Sequence, residues 1–328
     1  MIQKIANSIL FFCAFVSCQK QVPYTSLTGT AQGTTFTIRY QDKEQRDFSQ
    51  SVDSLFRLID KSMSLWDSTS LIRRINRNEK DLKLDQHFIN VFNSSREISD
   101  LTDGAFDVTV SPLVNAWGFS YKKGLPPPDS SLVDSLKHFI GFKRVMIENG
   151  VLQKQDPRIE LDFNAIAQGY TVDLVSAFLE THGIKNYLVE IGGEVRASGV
   201  NERDSIWMIG IDKPVEVASD ERLLQTTIGL QNKSIATSGS YRKFIERDGK
   251  KYSHFISPET GYPVQHNLLS VSVMADNCTS ADGYATAFMV MGLEKTMDKV
   301  KTLHLDVYCI YADGNGMLKT MSTSGFGR

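Results

Sequence analysis

The stretch Ile159–Tyr170, which reads IELDFNAIAQGY, decides how the rest of the chain is interpreted. Ile159 and Leu161 alternate as in a buried strand, and Asp162 and Asn164 are residue types that often precede a helix. After them, apolar residues recur at helical spacing, at Ile166, Tyr170, Leu174, Ala177 and Phe178. The stretch therefore predicts a buried strand that leads directly into a helix.

The start of this predicted helix is rich in small residues. A helix N-terminus presents free backbone N–H groups, which favour an anion such as a phosphate. Ala165, Ala167 and Gly169 would let such a ligand approach the backbone closely. A capped helix after a strand is more often structural than it is a phosphate site, so both interpretations stay open from these residues alone.

The composition is that of an ordinary globular chain. Its 328 residues are 41% hydrophobic and 23% charged, which allows a large core in about two domains or in one large domain. The formal net charge of −2 provides no basic field, and no basic run alternates with aromatic residues. Nucleic acid is therefore excluded as a partner.

The first residues are predicted to be a targeting segment. Lys4 is followed by the apolar run Ile9–Val16, which is too short to span a bilayer as a stable helix. The sequence FVSC, which ends at Cys18, resembles the bacterial lipobox, whose cysteine receives lipid and becomes the mature N-terminus. The alternative is an ordinary secretory signal peptide in which Cys18 is incidental.

The lipobox interpretation divides the chain into three parts. We expect a signal peptide over residues 1–17, a lipid-attached tether over residues 18–29, and one domain over residues 30–328. The protein is then expected to be an exported lipoprotein, anchored to the membrane and facing the periplasm. Two cysteines, Cys278 and Cys309, remain in the body of the chain, where a disulfide and two buried thiols are both open.

The segment VSVMADNCTSADGYATAFMVMG is predicted to be a strand followed by a helix that places an acid and a hydroxyl on one face. Asp282 and Thr286 stand four residues apart, which is one helical turn. Oxygen ligands suit Mg²⁺, which keeps water or phosphate oxygens in its remaining positions. In the structural alternative, Asp282 caps the helix and the Thr286 hydroxyl bonds back to the preceding turn.

Several other residues allow both a functional and a structural interpretation. Trp66 lies in a polar break between helices, where a stacking surface and a core position are both plausible. Asp103 and Asp107 flank a Gly-Ala pair and suit either acid–base chemistry or the amides of a turn. Gly192 and Gly193 follow a predicted strand, where they allow a ligand to approach the backbone or make a bulge.

The part of the chain beyond Gly183 is predicted to be mainly β, with two polar loops. The segment ATSGSYRKF concentrates hydroxyl groups beside Arg242, whose guanidinium suits an anion. The segment HFISPETGYPV places His254 beside a Pro and Gly turn, although a surface histidine is the default interpretation. Strands are predicted at Tyr187–Ile191, Val195–Ser198, Ile206–Ile211, Leu223–Leu230, Ser270–Ala275, Asp306–Tyr311 and Met317–Met321.

Eight motifs in a fixed order resemble the ApbE family, the FAD:protein FMN transferases. They are GTTF, MSLWD, DGAFDVTVSPLVNAWGF, LDFNAIAQGY, VEIGGEV, ATSGSYRKF, HFISPETGYPV and ADGYATA. The resemblance implies a mixed α/β (α+β) fold, with T-fold-like mixed sheets, packed helices and two interleaved lobes. It also implies an enzyme that uses FAD and Mg²⁺, attaches FMN through a phosphoester to a threonine of an exported or membrane flavoprotein, and releases AMP.

The same resemblance assigns roles to individual residues. Asp282, Thr286 and the carbonyl of Ala165 would hold the metal ion. Gln32 stands where the family often has Met, Gln168 where it usually has Lys or Glu, and Ser240 where it has Asp or Asn. Together with Arg242, the residues expected to bind FAD are Gln32, Trp66, Ala105, Phe106, Asp107, Gln168, Glu190, Gly192, Gly193, Glu194 and Ser240.

The implied reaction needs a base for the hydroxyl proton of the acceptor threonine. His254 is the first candidate, because an imidazole titrates near neutral pH, and Asp107 is the second. Two other functions remain open at this point. A metal-dependent FAD pyrophosphatase would use water in place of the threonine, and a flavin-holding lipoprotein would catalyse neither reaction.

Overall fold

A computed structural model describes residues 22–120, 126–214, 223–241, 244–247 and 250–327. The α-helices in these residues are α1 (Ser49–Met63), α2 (Leu71–Asn76), α3 (Gln86–Leu101), α4 (Ser111–Trp117), α5 (Ser130–Lys137), α6 (Ala167–Thr181), α7 (Cys278–Met291) and α8 (Leu293–Leu303). The strands are β1 (Tyr24–Ala31), β2 (Thr34–Gln41), β3 (Val145–Glu148), β4 (Val151–Lys154), β5 (Tyr187–Ile191), β6 (Glu194–Ser198), β7 (Trp207–Asp212), β8 (Leu224–Leu230), β9 (Lys233–Gly239), β10 (Phe244–Arg247), β11 (Lys250–Ser253), β12 (Leu268–Ala275), β13 (Asp306–Ala312) and β14 (Leu318–Ser322).

Eight of these strands form one sheet in the order β1-β2-β5-β6-β9-β12-β13-β14. Three separate hairpins, β3–β4, β7–β8 and β10–β11, complete the β structure of the described residues. All the strand pairings described are antiparallel. The combination of helices and sheets confirms the predicted mixed α/β class, with antiparallel strands throughout these pairings.

The strand register brings three connections to one end of the large sheet, which we call the site end. The turn at residues 32–33 joins β1 to β2, and the turn at residues 192–193 joins β5 to β6. Phe36 pairs with Ile191, so these two turns are neighbours. The last residue of β9, Gly239, pairs with Ser270 near the start of β12, so β9 ends at the same end.

The large sheet has two different faces. On the helix face, Tyr187, Val189 and Ile191 of β5 are buried against α1 and α6. On the opposite hairpin face, Val195 and Ala197 of β6 are buried against the β7–β8 hairpin. Successive side chains of a strand point to opposite faces, so the register decides which polar side chains meet the helices.

Helix α6 lies between two hydrophobic clusters on the helix face. Val172, Val175 and Leu179 are fully buried with β2, β5 and α1. Tyr170 and Leu174, on another side of the helix, are half-buried against the cluster around α3 and α7. Because two sides of α6 are covered, the apolar face predicted from the sequence is only part of its buried surface.

Part of the segment that was predicted to be an N-terminal tether is a strand. Residues 24–29, which we assigned to the tether, belong to β1 and pair with β2 along their whole length. Gln32 and Gly33 both have positive φ angles, 52° and 76°, as in the two-residue turns that favour hairpins. The predicted signal peptide and Cys18 lie outside the described residues.

Two further predictions about local structure were wrong. Ile159 and Leu161 are fully buried but belong to an irregular segment, because the backbone N–H of Asp162 bonds to Val108 and not to a neighbouring strand. The first residues of ATSGSYRKF form the end of β9, where Ala236 and Ser238 lie in the sheet beside β12. The backbone pairing of these residues with β12 outweighs the loop preference of their small polar side chains.

The two body cysteines are free thiols. Cys278 is buried beside α6 and β5, whereas Cys309 is buried in the cluster around α3 and α7. Burial raises the pKa of both thiols, and that of Cys309 to about 12. Among the helices described, none is both long and apolar enough to cross a bilayer.

Candidate functional site

The buried carboxylate of Asp282 is the centre of the candidate site. Asp282 lies in the second turn of α7 and is only 7% exposed. Its Oδ2 accepts a hydrogen bond from the backbone N–H of Gly169 in α6, at 3.0 Å. Burial raises the pKa of Asp282 to about 7, opposed by the Gly169 N–H and assisted by the carboxylate of Asp173. A carboxylate held in this environment is stabilised by a cation.

The bond from Gly169 to Asp282 has a consequence for Ala165. In a regular α-helix the N–H of residue 169 would bond to the carbonyl of residue 165. Here that N–H bonds to Asp282, and helix α6 begins only at Ala167. Within the described part of the chain, no donor bonds to the Ala165 carbonyl. This oxygen therefore remains available to a ligand.

Thr286 adds a hydroxyl to the same region. It stands one turn after Asp282 on α7 and is half-buried, and its Oγ1 lies 3.5 Å from the Oγ of Ser238 at the end of β9. Carboxylate, carbonyl and hydroxyl oxygens are the ligands that Mg²⁺ accepts. No group of three His, Cys, Asp or Glu side chains is placed to hold a metal in the residues that the structure describes. The three predicted metal ligands thus fit a hard cation that keeps part of its shell for other ligands.

Close packing of α6 on α7 sets the position of Asp282. A Cβ atom added to Gly169 would lie 2.4 Å from the carbonyl oxygen of Cys278 and 2.7 Å from the Cβ of Asp282. Both distances are far below van der Waals contact. Only glycine therefore allows the two helices to approach closely enough for the bond between Gly169 and Asp282.

The substitution Gly169→Ala is expected to separate α6 from α7. Alanine improves helix propensity by about 1 kcal/mol, whereas overpacking of this kind costs about 1–3 kcal/mol. The cost should exceed the gain, because the added methyl group meets the backbone of Cys278, which cannot move aside as a flexible side chain can. We expect a lower free energy of unfolding and a loss of about 10²-fold in activity, since small displacements at a site are costly. Urea denaturation and turnover assays measure both. Gly314→Ala is the control, because it meets open space; equal effects of the two substitutions would contradict the argument.

Gln32 and Gln168 meet the two turns at the site end of the sheet. The Gln32 amide nitrogen donates to the hydroxyl of Thr171 on α6 at 3.1 Å. Its Oε1 is buried without a hydrogen-bond partner in the described residues. Gln168 lies against Gly192, since a Cβ there would be 2.7 Å from its Nε2. A buried amide oxygen that lacks a donor is an attachment point for a ligand with N–H or O–H groups.

The turn between β5 and β6 opens toward solvent. Gly192 and Gly193 have φ angles of 67° and 108°, a conformation that favours glycine, and nothing lies within 4 Å of a Cβ built on Gly193. The Gly193 N–H bonds to the Glu190 carboxylate at 2.9 Å. By strand alternation Glu190 belongs to the hairpin face and the buried Glu194 to the helix face. The two acids therefore approach the site end from opposite faces of the sheet.

The carboxylate of Asp107 holds its own loop together. It accepts hydrogen bonds from the N–H and the hydroxyl of Thr109, at 2.8 and 2.6 Å, and from the N–H of Phe142 at 2.9 Å. Burial raises the pKa of Asp107, and these three bonds oppose the rise. Because both oxygens are engaged, the geometry favours a structural role for Asp107 and leaves His254 as the candidate base.

The DGAFD and HFISPETGYPV motifs meet at one cleft of about 760 Å³. Ala105 lies on one wall, residues 257–260 and 263–266 on another, and the end of α7 with α8 closes the cleft. Phe106, by contrast, is a core residue at 2% exposure, so any contact with a ligand would come from its backbone. His254, the first residue of the HFISPETGYPV motif, is half-buried, and the centroid of its ring lies 4.1 Å from that of Phe255.

Three predicted binding residues differ in how far the structure describes their position. Trp66 is 67% exposed on the connection between α1 and α2, so it is a surface residue and not part of the core. Ser240 follows β9 and its N–H bonds to the carbonyl of Leu269, which puts it at the site end. Arg242 lies outside the described residues.

The structure adds residues that the sequence did not suggest. Asp173 on α6 accepts bonds from the N–H groups of Cys278 and Thr279 and from the Thr279 hydroxyl, and so fixes the start of α7. Lys299 of α8 pairs with Asp103 at 2.8 Å on the wall of the cleft. Asp173 has helical spacing from Gly169, which was the one available signal. Lys299 is 196 residues from Asp103, and nothing in the sequence indicates that pair.

Asp162 gives a prediction for pH. Burial raises its pKa from 3.8 to about 6, opposed by a hydrogen bond from the N–H of Asn164. Because the folded state holds the proton more tightly, the free energy of unfolding should fall as pH rises from about 4 to 6. Asp162→Asn keeps the hydrogen-bond acceptor and should remove that fall, a gain of at most about 3 kcal/mol at pH 7. Urea titrations at several pH values test this; a parallel pH dependence in the variant would contradict it.

Known proteins with related sequences cover nearly the whole chain. The sequence model of the ApbE family matches residues 32–310. The FAD:protein FMN transferase of Haemophilus influenzae is 33% identical over 326 residues, which cover 95% of this chain and 93% of that protein. The FAD:protein FMN transferase of Vibrio cholerae is 35% identical over 315 residues, covering 94% and 93% respectively.

Solved structures agree with the sequence matches. The flavin transferase ApbE from Vibrio cholerae superposes with a TM-score of 0.83 at 34% identity, over 93% of this chain and 98% of that chain. The apo form of the Pseudomonas stutzeri flavinyl transferase ApbE gives a TM-score of 0.84 at 31% identity, over 94% and 97%. The match therefore extends to the fold of nearly the whole chain.

Proposed function

The chain belongs to the ApbE family and is a transferase, and we propose that it is a FAD:protein FMN transferase that uses Mg²⁺. In the proposed reaction, FMN is attached through a phosphoester bond to a threonine of an exported or membrane flavoprotein, and AMP is released. The family assignment confirms the resemblance seen in the eight motifs. The metal, the threonine acceptor and the AMP product are parts of the proposal.

The observation that best supports the metal is the arrangement around Gly169. Its N–H bonds to Asp282, which leaves the Ala165 carbonyl without a donor in the described structure. Asp282, Ala165 and Thr286 then offer three oxygen atoms of different kinds where α6 and α7 cross. When bound by these residues, Mg²⁺ would neutralise charge on the FAD pyrophosphate.

The remaining residues would bind and orient the substrate. The Gln32 oxygen, which has no hydrogen-bond partner among the described residues, and the open backbone at Gly193 border the site end of the sheet. The exposed ring of Trp66 offers a stacking surface. The burial of Asp282 between α6 and α7 would limit the access of water to a pyrophosphate bound there. Water exclusion favours transfer to a threonine over hydrolysis.

The proposed transfer needs no reactant other than FAD and the acceptor threonine. The threonine Oγ forms a bond to the FMN-side phosphorus, and the bridging P–O bond breaks so that AMP leaves with the electron pair. His254 would take the hydroxyl proton as the threonine attacks. The three hydrogen bonds to Asp107 keep the neighbouring loop in place for the nucleotide.

Incubation with FAD, Mg²⁺ and a flavoprotein acceptor tests the proposed function. We expect an acceptor band with in-gel flavin fluorescence, release of AMP in equal amount, and loss of both when the acceptor threonine is changed to alanine. Release of free FMN with AMP, without labelling of the acceptor, would identify a pyrophosphatase. Binding of FAD without turnover would identify a flavin-holding protein.

The location of the enzyme is also a proposal. The sequence FVSC before residue 19 supports a lipid on Cys18, which would hold the enzyme at the outer side of the cytoplasmic membrane in the periplasm. Its acceptors would then be exported proteins or membrane subunits with outward-facing segments. Mass spectrometry of the mature N-terminus tests this, and an unmodified residue 18 would rule the anchor out.

A further inference from the structure

The β7–β8 hairpin has an exposed row of apolar side chains, which we call the apolar hairpin surface. It consists of Ile206, Met208 and Leu224, with exposed fractions of 43%, 58% and 49%. Large apolar residues are common on surfaces singly, but a contiguous group indicates a binding partner. The inner side of the hairpin is buried against the large sheet, and among the described residues no other element packs on the outer side.

The side chains of this surface form a continuous layer because two glycines lie beneath them. A Cβ on Gly229 would be 2.3 Å from the Cδ1 of Ile206, and Gly229 pairs with Met208. A Cβ on Gly210 would likewise be 2.7 Å from a methyl group of Leu224. Ile206 and Leu224 thus lie flat across the neighbouring strand, on either side of Met208.

The start of the described chain lies beside the same hairpin, against its inner side. The Tyr24 ring packs edge-on against Trp207, with 5.8 Å between centroids, and its hydroxyl donates to the carbonyl of Val200. Trp207 directly follows Ile206 in the chain. The chain therefore enters the fold next to the hairpin whose outer side carries the apolar hairpin surface.

The length of the preceding segment limits how far Cys18 can be from this point. Residues 19–23 separate Cys18 from Tyr24. Even fully extended, this segment spans at most about 20 Å. A lipid on Cys18 would therefore hold the hairpin close to the bilayer surface.

From these observations we propose that the apolar hairpin surface lies on the membrane and inserts its side chains into the lipid interface. The neighbouring charges include the carboxylates of Glu202, Asp204 and Asp212 as well as Arg203 and Lys213. This mixture does not select anionic lipid, so the contact is apolar and zwitterionic lipid suffices. A second, weak contact beside the anchor gains strength from the high effective concentration that the anchor provides.

Vesicle flotation tests the proposal without the lipid anchor. The chain from residue 19 to residue 328 is mixed with phosphatidylcholine vesicles, and its partition coefficient is measured. We expect measurable binding, and a loss of at least about tenfold in the variant that combines Ile206→Ser, Met208→Ser and Leu224→Ser. Leu58→Ser is the matched control, because Leu58 is 51% exposed on α1, on the helix face.

A second measurement keeps the test independent of folding defects. Met208→Cys provides a labelling site for an environment-sensitive dye, since Cys278 and Cys309 are buried. Its emission should shift to the blue when vesicles are added, whereas the same dye at Leu58→Cys should not respond. Absence of both binding and shift would overturn the proposal. It would also be wrong if the triple variant bound vesicles normally but lost FMN transfer to a protein acceptor, because the surface would then dock the acceptor.

Discussion

Asp282→Asn is expected to reduce Mg²⁺-dependent FAD turnover by at least about 10²–10³-fold. The asparagine oxygen can still accept the hydrogen bond from Gly169, which holds α6 against α7. What is lost is the negative charge, and Asp282 is the only charged side chain among the three candidate metal ligands. Turnover at increasing Mg²⁺ concentrations measures the effect, and calorimetry measures Mg²⁺ binding independently of activity.

The comparison with Asp282→Ala separates charge from structure. Alanine removes both the charge and the acceptor for the buried N–H of Gly169, which should cost about 1–3 kcal/mol of stability in addition. Asparagine should leave the free energy of unfolding close to that of the parent or raise it. An asparagine variant with normal Mg²⁺ binding and normal turnover would place the metal elsewhere.

His254→Ala is expected to slow FMN transfer by at least about 10²-fold while FAD affinity changes by less than about tenfold. A well-placed general base contributes about 10²–10⁴-fold to a rate. Loss of one hydrogen bond to a ligand costs about 1 kcal/mol, which is under tenfold in affinity. The pH profile is a second readout, because the fall in rate on the acid side should disappear with the imidazole.

A histidine elsewhere provides the control for this substitution. His182 follows the C-terminal end of α6 and is exposed, whereas the candidate site is at the other end of that helix. Fifteen residues of helix separate the two ends by about 22 Å. His182→Ala should therefore leave transfer unchanged. If His254→Ala weakened FAD binding as much as it slowed transfer, His254 would be a phosphate ligand, and the base would have to be sought in the acceptor protein.

Local patterns in the sequence predicted much of the fold. The strand Tyr187–Ile191 was predicted with its observed bounds, and the four-residue spacing of Asp282 and Thr286 placed both on one helix. Both features depend on residues close together in the chain, where side-chain periodicity reflects backbone geometry. The mixed α/β class was implied by the resemblance of the eight motifs to the ApbE family.

The features that the sequence did not predict depend on distant contacts. Gly169 and Asp282 are 113 residues apart, and neither residue indicates that the N–H of one binds the carboxylate of the other. The segment around Ser238 has the composition of a loop, yet it belongs to β9, which lies between β6 and β12 in the sheet. β1 was missed because it is an edge strand with one paired neighbour and much of its length exposed, so its apolar and polar residues alternate only weakly.

The layered arrangement of hairpin, sheet and helices limits how far from the membrane surface the acceptor threonine can lie. If the apolar hairpin surface rests on lipid, the sheet is the second layer from the bilayer and the helix face with Asp282 is the third. Packed layers are roughly 10 Å apart, so the site would stand about 20 Å above the lipid surface. The short connection to Cys18 would prevent the enzyme from turning over to reach lower. A threonine flush with the headgroups would be out of range, and only segments that rise from the membrane by about that distance would be modified.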